Sequence, residues 1–246
     1  MRLHLKFHLE GSFEMPINYN YYLMAAIYNF LSIISMKYAT RLKMLGYTFG
    51  KRQYRNFVFS RLFGKREIKN SQIIFFNEIQ WYISSVSDEF IRILVEALVK
   101  QETLNIKGKE LQLKQVAVQR ESKFTGSPAK FKTMSPIVLS KSVEGKNTAY
   151  YLRRKDAEFG EYLKNNLIHK YVSYYQKEPD DRIFNFEWLE DGLKKNGKLL
   201  EIKNGIKVYG SIGKFRIAGN PELIKFGYNT GFGEKNSIGF GMAEKV

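Results

Sequence analysis

Cysteine is absent from this sequence of 246 residues, and histidine occurs only three times. The first absence excludes a disulfide framework and a thiolate metal site. Long apolar runs are missing as well, since no stretch approaches the roughly 18 residues of a membrane helix. The N-terminus, MRLHLKFHLE, alternates apolar and polar residues and so differs from a secretory signal. We therefore expect a cytoplasmic protein that does not act at a membrane.

Acidic residues are also in deficit, because 24 Asp and Glu face 40 Lys and Arg, for a formal net charge of +16. The excess is concentrated between Lys37 and Lys69, where ten basic residues accompany one acid, Glu67. Aromatic residues are interleaved with these cations, which suits single-stranded nucleic acid, whose phosphates pair with cations while its bases stack. A lysine-rich thermophilic surface and an anionic membrane are the alternatives. The clustering favours a polyanionic partner.

Hydrophobic residues make up 44% of the chain and aromatic residues 15%, which predicts a folded globular protein. In residues 1–123, the apolar positions alternate along the first strand, from Leu3 to Leu9, and Pro16 is assigned to a loop. Helical spacing predicts one helix over residues 21–34 and another that begins after Ser87 as its N-cap. Further strands are predicted at 57–60, 79–86 and 111–119. The order strand, helix, strands, helix, strand is typical of a ferredoxin-like unit.

The second half, residues 124–246, is predicted to repeat this plan. Its predicted elements are a strand at 131–140, a helix at 158–175, a hairpin at 199–210 that turns at Asn204-Gly205, a strand at 213–220, a helix at 221–228 and a strand at 238–246. Lys130 and Lys132 flank Phe131, so both should project from one face of a strand. We predict an α+β fold of two tandem ferredoxin-like domains, 1–123 and 124–246, each an antiparallel sheet with helices on one face.

Glycine is concentrated near the end of the chain, in the segment GFGEKNSIGFG, between the last predicted helix and the last predicted strand. Gly231, Gly233, Gly239 and Gly241 could offer backbone N–H groups to a phosphate, and Lys235 would add a cation. Relief of crowding where a helix packs on a sheet is the alternative role for these glycines. The segment matches neither a Walker motif nor a dinucleotide fingerprint, which argues against a nucleotide cofactor.

Three segments together resemble the CRISPR-associated protein 6 family: MPINYNYYLMAAIYNFL, SPIVLS and GFGEKNSIGFG. They stand in the order of the family and span nearly the whole chain. The resemblance implies an endoribonuclease of the repeat-associated mysterious protein superfamily, which cleaves CRISPR repeat RNA without a metal or another cofactor. It implies attack by a ribose 2′-hydroxyl, which leaves a 2′,3′-cyclic phosphate. It also implies that RNA binds between and across the two domains and that the glycine segment helps to hold it.

The catalytic residues implied by the resemblance include a tyrosine, a histidine and a lysine. Tyr28 stands at the position of the tyrosine, Arg55 lies near that of the lysine, and Lys43 replaces the histidine. None of the three histidines of the chain, His4, His8 and His169, stands at the matching position, and each is expected to be an ordinary surface or packing residue. The absence of the family histidine is the main departure from the pattern.

Two hypotheses about catalysis follow from this departure. In the first, Tyr28, Lys43, Lys51 and Arg55 support cleavage, because a lysine is a competent acid and crowded cations can stabilise a phosphorane. In the second, the protein is an inactive repeat-RNA binder that holds RNA for a CRISPR effector complex. A single-strand binding module outside CRISPR biology is a third reading, which the three motifs do not favour. A homodimer and the handover of processed RNA to an effector complex are left open.

The residues expected to contact RNA outside the catalytic set come from both halves of the chain. They are Lys37, Arg41, Arg52, Lys130, Lys132, Gly231, Gly233, Lys235, Gly239 and Gly241.

Overall fold

Two antiparallel sheets, one in each half of the chain, carry the helices on one face, as the hydrophobic periodicity predicts. The computed structural model describes residues 1–145, 148–190, 192, 196–203 and 205–246. The elements of the N-terminal half are β1 (Arg2–Pro16), α1 (Asn20–Met44), β2 (Tyr47–Phe49), β3 (Arg52–Tyr54), β4 (Phe57–Phe59), β5 (Phe63–Lys69), β6 (Gln72–Ser85), α2 (Asp88–Gln101), β7 (Thr103–Ile106) and β8 (Lys109–Val118).

The N-terminal sheet has the strand order β4-β6-β1-β8-β7, and β5 also pairs with β6. Alternation along β1 buries Leu3, Leu5 and Phe7 completely against the helices. The assignment of Pro16 to a loop is wrong, because β1 continues through it. A register shift between His8 and Ser12 interrupts the pairing with β6, which then resumes as far as Pro16. The polar stretch around this bulge is what hides the longer strand in the sequence.

Helix α1 is bent at Ser35, whose φ of −149° and ψ of 93° are not helical. The Ser35 Oγ accepts a hydrogen bond from the N–H of Tyr38 at 3.2 Å, so this serine caps the second part of the helix. The helix predicted to end at residue 34 therefore ends where the bend begins. The predicted cap of α2 is confirmed too, since the Ser87 Oγ accepts from the N–H of Phe90 at 3.2 Å.

The C-terminal half builds a second sheet with the order β12-β15-β9-β16 and two small hairpins, β10-β11 and β13-β14. Its elements are β9 (Ala129–Thr133), β10 (Ser140–Lys141), β11 (Tyr150–Tyr151), α3 (Phe159–Tyr175), β12 (Phe184–Trp188), β13 (Gly197–Lys203), β14 (Ile206–Ser211), β15 (Lys214–Gly219), α4 (Pro221–Thr230) and β16 (Ala243–Lys245). The predicted hairpin is present, although Asn204 of its turn lies outside the described residues. The predicted domain boundary at residue 123 falls in the connection between β8 and β9.

Two predicted strands are shorter than expected. The strand predicted at 131–140 ends at Thr133. Beyond it, Pro136 has no N–H to donate, and Ile137 and Val138 form only isolated bridges. The strand predicted at 238–246 is reduced to Ala243–Lys245. Gly239 and Gly241 adopt φ values of +80° and +81°, which are outside the β region.

Each domain has its own hydrophobic core, and a third cluster joins them. Val58 of the first domain packs with Met134 and Met242 of the second. Arg2 is buried beside this cluster, where its guanidinium lies 3.7 Å from the centre of the Tyr228 ring and Nη2 donates to the Tyr228 carbonyl at 2.8 Å. The two sheets are therefore held against each other. Within the described ranges, no helix is long and apolar enough to cross a lipid bilayer.

Candidate nucleic-acid interface

A cavity of about 430 Å³ lies between the two domains, and it is lined by both. We call it the Arg55 cavity. The N-terminal domain contributes residues 52–56, from β3 to the start of β4. The C-terminal domain contributes Ser140, Asn166 and Lys170, and residues 233–237 of the glycine segment. Three cations that the sequence singled out, Arg52, Arg55 and Lys235, thus meet at one site although Lys235 comes from the other domain.

Arg55 connects the cavity to the other predicted catalytic residues. Its Nη2 donates to the backbone carbonyl of Lys43 at 2.6 Å, and its charge acts on the Tyr28 hydroxyl nearby. Burial raises the pKa of Tyr28, while the guanidinium of Arg55 opposes the rise. The Tyr28 ring meets Phe57 edge-on, with centroids 6.0 Å apart. Tyr28 and the backbone of Lys43 therefore lie close to Arg55, and Arg55 is the member of the three that lines the cavity.

The remaining predicted cations are more scattered. Lys51 lies in the exposed turn between β2 and β3 and does not line the Arg55 cavity. Lys37 and Arg41 project from the second part of α1, where Arg41 pairs with Glu89 at 3.4 Å in an exposed ion pair. Such a pair contributes little to stability, so it can open for an anionic ligand.

Lys130 and Lys132 lie on the face of β9 opposite the buried Phe131, as predicted. Lys132 approaches Glu244 of β16 at 3.9 Å, and Lys130 stands opposite Arg216 of β15 in the strand register. These side chains belong to the open face of the C-terminal sheet, which is a surface separate from the Arg55 cavity.

The glycines of the C-terminal segment are buried. An added Cβ at Gly239 would lie 2.3 Å from the Phe59 ring, and one at Gly241 would lie 2.0 Å from the Phe232 carbonyl oxygen. The N–H of Gly241 already donates to the Pro136 carbonyl at 2.7 Å, and that of Gly239 to the Asn236 carbonyl at 2.9 Å. These two N–H groups are thus occupied within the protein, and the steric role of these glycines is the one visible in the structure. Lys235 lines the Arg55 cavity in the left-handed conformation.

Lys170 of α3 is a cavity residue that sequence reasoning missed. It is 1% exposed, and its Nζ donates to the Gly231 carbonyl and to the Oδ1 of Asn236, the latter at 2.9 Å. Burial lowers the pKa of Lys170 to about 7, with the charge of Glu234 opposing the shift. The sequence does indicate that this lysine is unusual, because Lys170 stands between Leu167 and Tyr171 on the apolar face of the predicted helix.

Two buried amides also line the Arg55 cavity. Asn56 is 3% exposed and Asn166 is 5% exposed. Among the described residues, neither the Oδ1 nor the Nδ2 of Asn56 has a hydrogen-bond partner, and the same is true of the Oδ1 of Asn166. Asn56 is held in the left-handed conformation, with φ of +51°. Unpaired buried amides are costly and are common where a site binds a polar ligand or ordered water.

Two of the three histidines stack on aromatic rings. His4 stacks on Tyr82 with ring centroids 4.4 Å apart, and His169 stacks on Phe49 at the same distance. Burial lowers the pKa of His169, and the charge of Arg52 lowers it further. In the part of the chain that the structure describes, no group of three or more acidic or histidine side chains is arranged to hold a metal.

Two tandem ferredoxin-like domains with a basic cavity between them define a class of RNA-binding fold. Comparisons with known proteins specify the family. Residues 14–117 match the family model "CRISPR-associated protein Cas6, N-terminal", and residues 118–245 match "CRISPR associated protein Cas6, C-terminal". The chain therefore belongs to the Cas6 family. It is 36% identical to "CRISPR-associated endoribonuclease Cas6 1" of Methanocaldococcus jannaschii over 253 aligned residues, which cover 100% of this chain and 93% of that protein.

Solved structures share the whole fold. The structure titled "Characterization of a Cas6-related gene from Pyrococcus furiosus" matches with a TM-score of 0.85 and 28% identity, and the alignment covers 100% of this chain and 98% of that one. The structure titled "An RAMP protein binding different RNA substrates" matches with a TM-score of 0.83 and 28% identity, covering 100% and 99% of the two chains. The predicted fold class is confirmed by these matches.

Proposed function

We propose that this protein binds CRISPR repeat RNA across its two domains and cleaves it by attack of a ribose 2′-hydroxyl, without a metal. The observation that carries the proposal is the position of Arg55, which donates to the backbone carbonyl of Lys43 and lies near the Tyr28 hydroxyl, at the edge of a basic cavity between the domains. The related protein of Methanocaldococcus jannaschii is named an endoribonuclease, and a related structure is titled as binding RNA. These names support the substrate class.

The side chains suggest a division of roles. Arg55 carries a guanidinium that remains charged, so it can orient the scissile phosphate and stabilise the charge that builds up on the phosphorane. Tyr28 keeps its proton at neutral pH, because burial raises its pKa, and it therefore serves as a hydrogen-bond donor instead of a base. The exposed ammonium of Lys43 can protonate the leaving 5′-oxygen.

None of Tyr28, Lys43 and Arg55 is a strong general base, so the rate they support would come mainly from orientation and electrostatic stabilisation. Holding the 2′-hydroxyl in line with the leaving oxygen can by itself supply several kcal/mol of the barrier reduction. We therefore expect slow cleavage that depends on Arg55 and on the geometry of the bound RNA.

The second candidate function is repeat-RNA binding without cleavage. It is favoured by one observation, the presence of Lys43 at the position where the family resemblance expects a histidine. The Arg55 cavity and the lysines of β9 would serve this function equally well. In that case the protein would retain processed RNA, either as a homodimer or for handover to a CRISPR effector complex.

The deciding experiment incubates the purified protein with its cognate repeat RNA in excess chelator. A matched RNA with a 2′-deoxyribose at the scissile position is the control. Cleavage of the first RNA to a 2′,3′-cyclic phosphate end, with none of the second, would support the nuclease. Tight binding of both RNAs without cleavage would sink the nuclease proposal and leave the binder. Replacement of Tyr28, Lys43, Lys51 and Arg55 one at a time would then separate the contributions of the four residues.

A further inference from the structure

A second cavity between the domains, of about 500 Å³, is lined by the start of α1, the loop between β4 and β5, part of β5, and β13. We call it the Arg66 cavity. Phe240 of the glycine segment lines it, whereas residues 233–237 of the same segment line the Arg55 cavity. Different parts of the glycine segment thus line the two cavities. None of the residues expected from the sequence to contact RNA lines the Arg66 cavity.

Three cations converge on the Arg66 cavity: Arg61, Arg66 and Lys198. No carboxylate lines it, and none of the three forms an ion pair within the described part of the chain. Among the described residues, the Arg61 side chain hydrogen-bonds only with the Met134 carbonyl, which accepts from Nε at 3.2 Å and leaves the two terminal nitrogens available. Like charges held together without a counter-charge are unfavourable, and an anion removes that repulsion.

The electrostatic environment shows that the three cations affect one another. Burial lowers the pKa of Lys198, and the charges of Arg61 and Arg66 lower it further. Burial likewise lowers the pKa of Arg61, and the charge of Arg66 adds to the shift. The cations are therefore close enough to interact, with Arg61 half-buried and Arg66 and Lys198 exposed.

The start of α1 adds to the positive potential. Tyr19, the N-cap residue, gives no side-chain hydrogen bond to the helix, and the first turn holds no acidic residue. Tyr19 and Asn20 both line the cavity. The N–H groups and the dipole at the start of the first part of α1, which runs to the bend at Ser35, favour an anion at this place.

The walls beside the cations are apolar and accessible. Ile17 is 41% exposed, Ile68 is 62% exposed and Leu199 is 66% exposed. A bare inorganic anion would gain nothing from these side chains. A nucleotide would, because its base can cover them while its phosphate meets the cations.

We propose that the Arg66 cavity binds one nucleotide of the repeat RNA, with its phosphate between Arg61, Arg66 and Lys198 and its base against Ile17, Ile68 and Leu199. This inference rests on the proposed function, since it takes the repeat RNA as the ligand. It adds a contact site that contains none of the predicted catalytic residues. The RNA would then contact the surface on both sides of the glycine segment.

The test compares Arg66→Gln and Lys198→Gln with Lys65→Gln. Lys65 precedes Arg66 on β5 and is exposed, and because side chains alternate along a strand it projects from the face opposite Arg66. All three changes remove one positive charge. Binding of a fluorescent oligonucleotide of the cognate repeat is measured at several salt concentrations. We expect the two cavity variants to bind about three- to tenfold more weakly, with a salt slope smaller by about one, and Lys65→Gln to change the affinity less than twofold.

A second arm identifies the source of the phosphate. AMP is titrated against the wild type and Arg66→Gln while the melting temperature is followed. A weaker affinity for RNA in the cavity variants, with no response to AMP, assigns the site to the RNA chain. A melting shift with AMP that Arg66→Gln abolishes, together with unchanged RNA affinity, would overturn the RNA assignment in favour of a free nucleotide.

Two further outcomes separate this inference from the proposed function. If the wild type binds and cleaves the repeat while Arg66→Gln, Lys198→Gln and Lys65→Gln behave alike, the inference fails and the proposed function stands. If the wild type does not bind the repeat at all, the proposed function fails and the RNA assignment of the Arg66 cavity fails with it. Circular dichroism of each variant checks that the fold is retained.

Discussion

The Nζ of Lys170 lies 2.9 Å from the Oδ1 of Asn236, and this hydrogen bond ties the middle of α3 to the glycine segment. The same lysine donates to the Gly231 carbonyl, while the Nδ2 of Asn236 donates to the Phe240 carbonyl at 2.9 Å. The path of the segment between Gly231 and Phe240 thus depends on a lysine that is nearly inaccessible to solvent. Its protonation state should be visible in the stability of the protein.

We expect Lys170→Met to flatten the rise of stability with pH above neutrality. The pKa of Lys170 is about 7 in the folded protein, whereas an unfolded lysine titrates near 10.4. Between these values the unfolded chain binds the additional proton, so the free energy of unfolding rises with pH. Below pH 7 both states are protonated and the penalty for burying the charge is constant. Urea denaturation from pH 6 to 10 measures the slope.

Lys177→Met is the matched control, because Lys177 is an exposed lysine just beyond the end of α3. Its replacement should leave the slope of the wild type unchanged. Equal slopes for the wild type and Lys170→Met would show that Lys170 does not titrate in this range.

The glycine segment gives a prediction about packing. Gly241→Ala would place a Cβ 2.0 Å from the Phe232 carbonyl oxygen at a φ of +81°, so the backbone must shift. We expect a loss of stability of about 2 to 4 kcal/mol, measured by chemical denaturation. Gly50→Ala is the control, since Gly50 has a φ of +56° but no atom within 4 Å of an added Cβ. It should cost only the conformational penalty of about 1 to 2 kcal/mol. Equal losses for the two variants would mean that the crowding is relieved at no cost.

Tyr28→Phe tests the role of the hydroxyl that meets Arg55. The ring would keep its edge-on contact with Phe57, so the free energy of unfolding should change by less than about 1 kcal/mol. In the proposed mechanism the Tyr28 hydroxyl donates a hydrogen bond to the reacting phosphate, so its removal should lower single-turnover cleavage at least tenfold. Tyr22→Phe, on the same helix with its ring against the core, serves as the control. An unchanged cleavage rate in Tyr28→Phe would assign Tyr28 to packing alone.

The elements that the sequence predicted well are those determined by nearby residues. The alternation from Leu3 to Leu9 and the Ser87 cap depend only on local spacing, and both are confirmed. The predicted final strand is shorter than expected because Gly239 and Gly241 leave the β region, where they lie against Phe232 and against Phe59 of the other domain. Hydrophobic periodicity along the sequence does not predict such contacts.

The sites depend still more on distant contacts. The buried ammonium of Lys170 donates a hydrogen bond to a carbonyl 61 positions away. The helical pattern of α3 shows only that a lysine stands on the apolar face. Arg61 and Arg66 belong to the basic stretch that composition alone reveals, but Lys198 joins them only when the second domain folds against the first. The convergence of these charges is therefore a property of the tertiary structure.

Asn220 provides the last prediction, because it fixes the helix that leads into the glycine segment. Its Oδ1 accepts from the N–H groups of Glu222 at 2.8 Å and Leu223 at 3.1 Å, and its Nδ2 donates to the Asp181 carbonyl at 3.1 Å. Asn220→Ala removes both the helix cap and the hydrogen bond to Asp181. It should lower the free energy of unfolding by about 1 to 2 kcal/mol, measured by chemical denaturation. Asn220→Asp keeps the cap, gains a charge at the helix start and loses the donor to Asp181. If the cap contributes most of the stability, Asn220→Asp will be nearly as stable as the wild type. A loss of stability equal to that of Asn220→Ala would instead show that the hydrogen bond to Asp181 holds α4 in place.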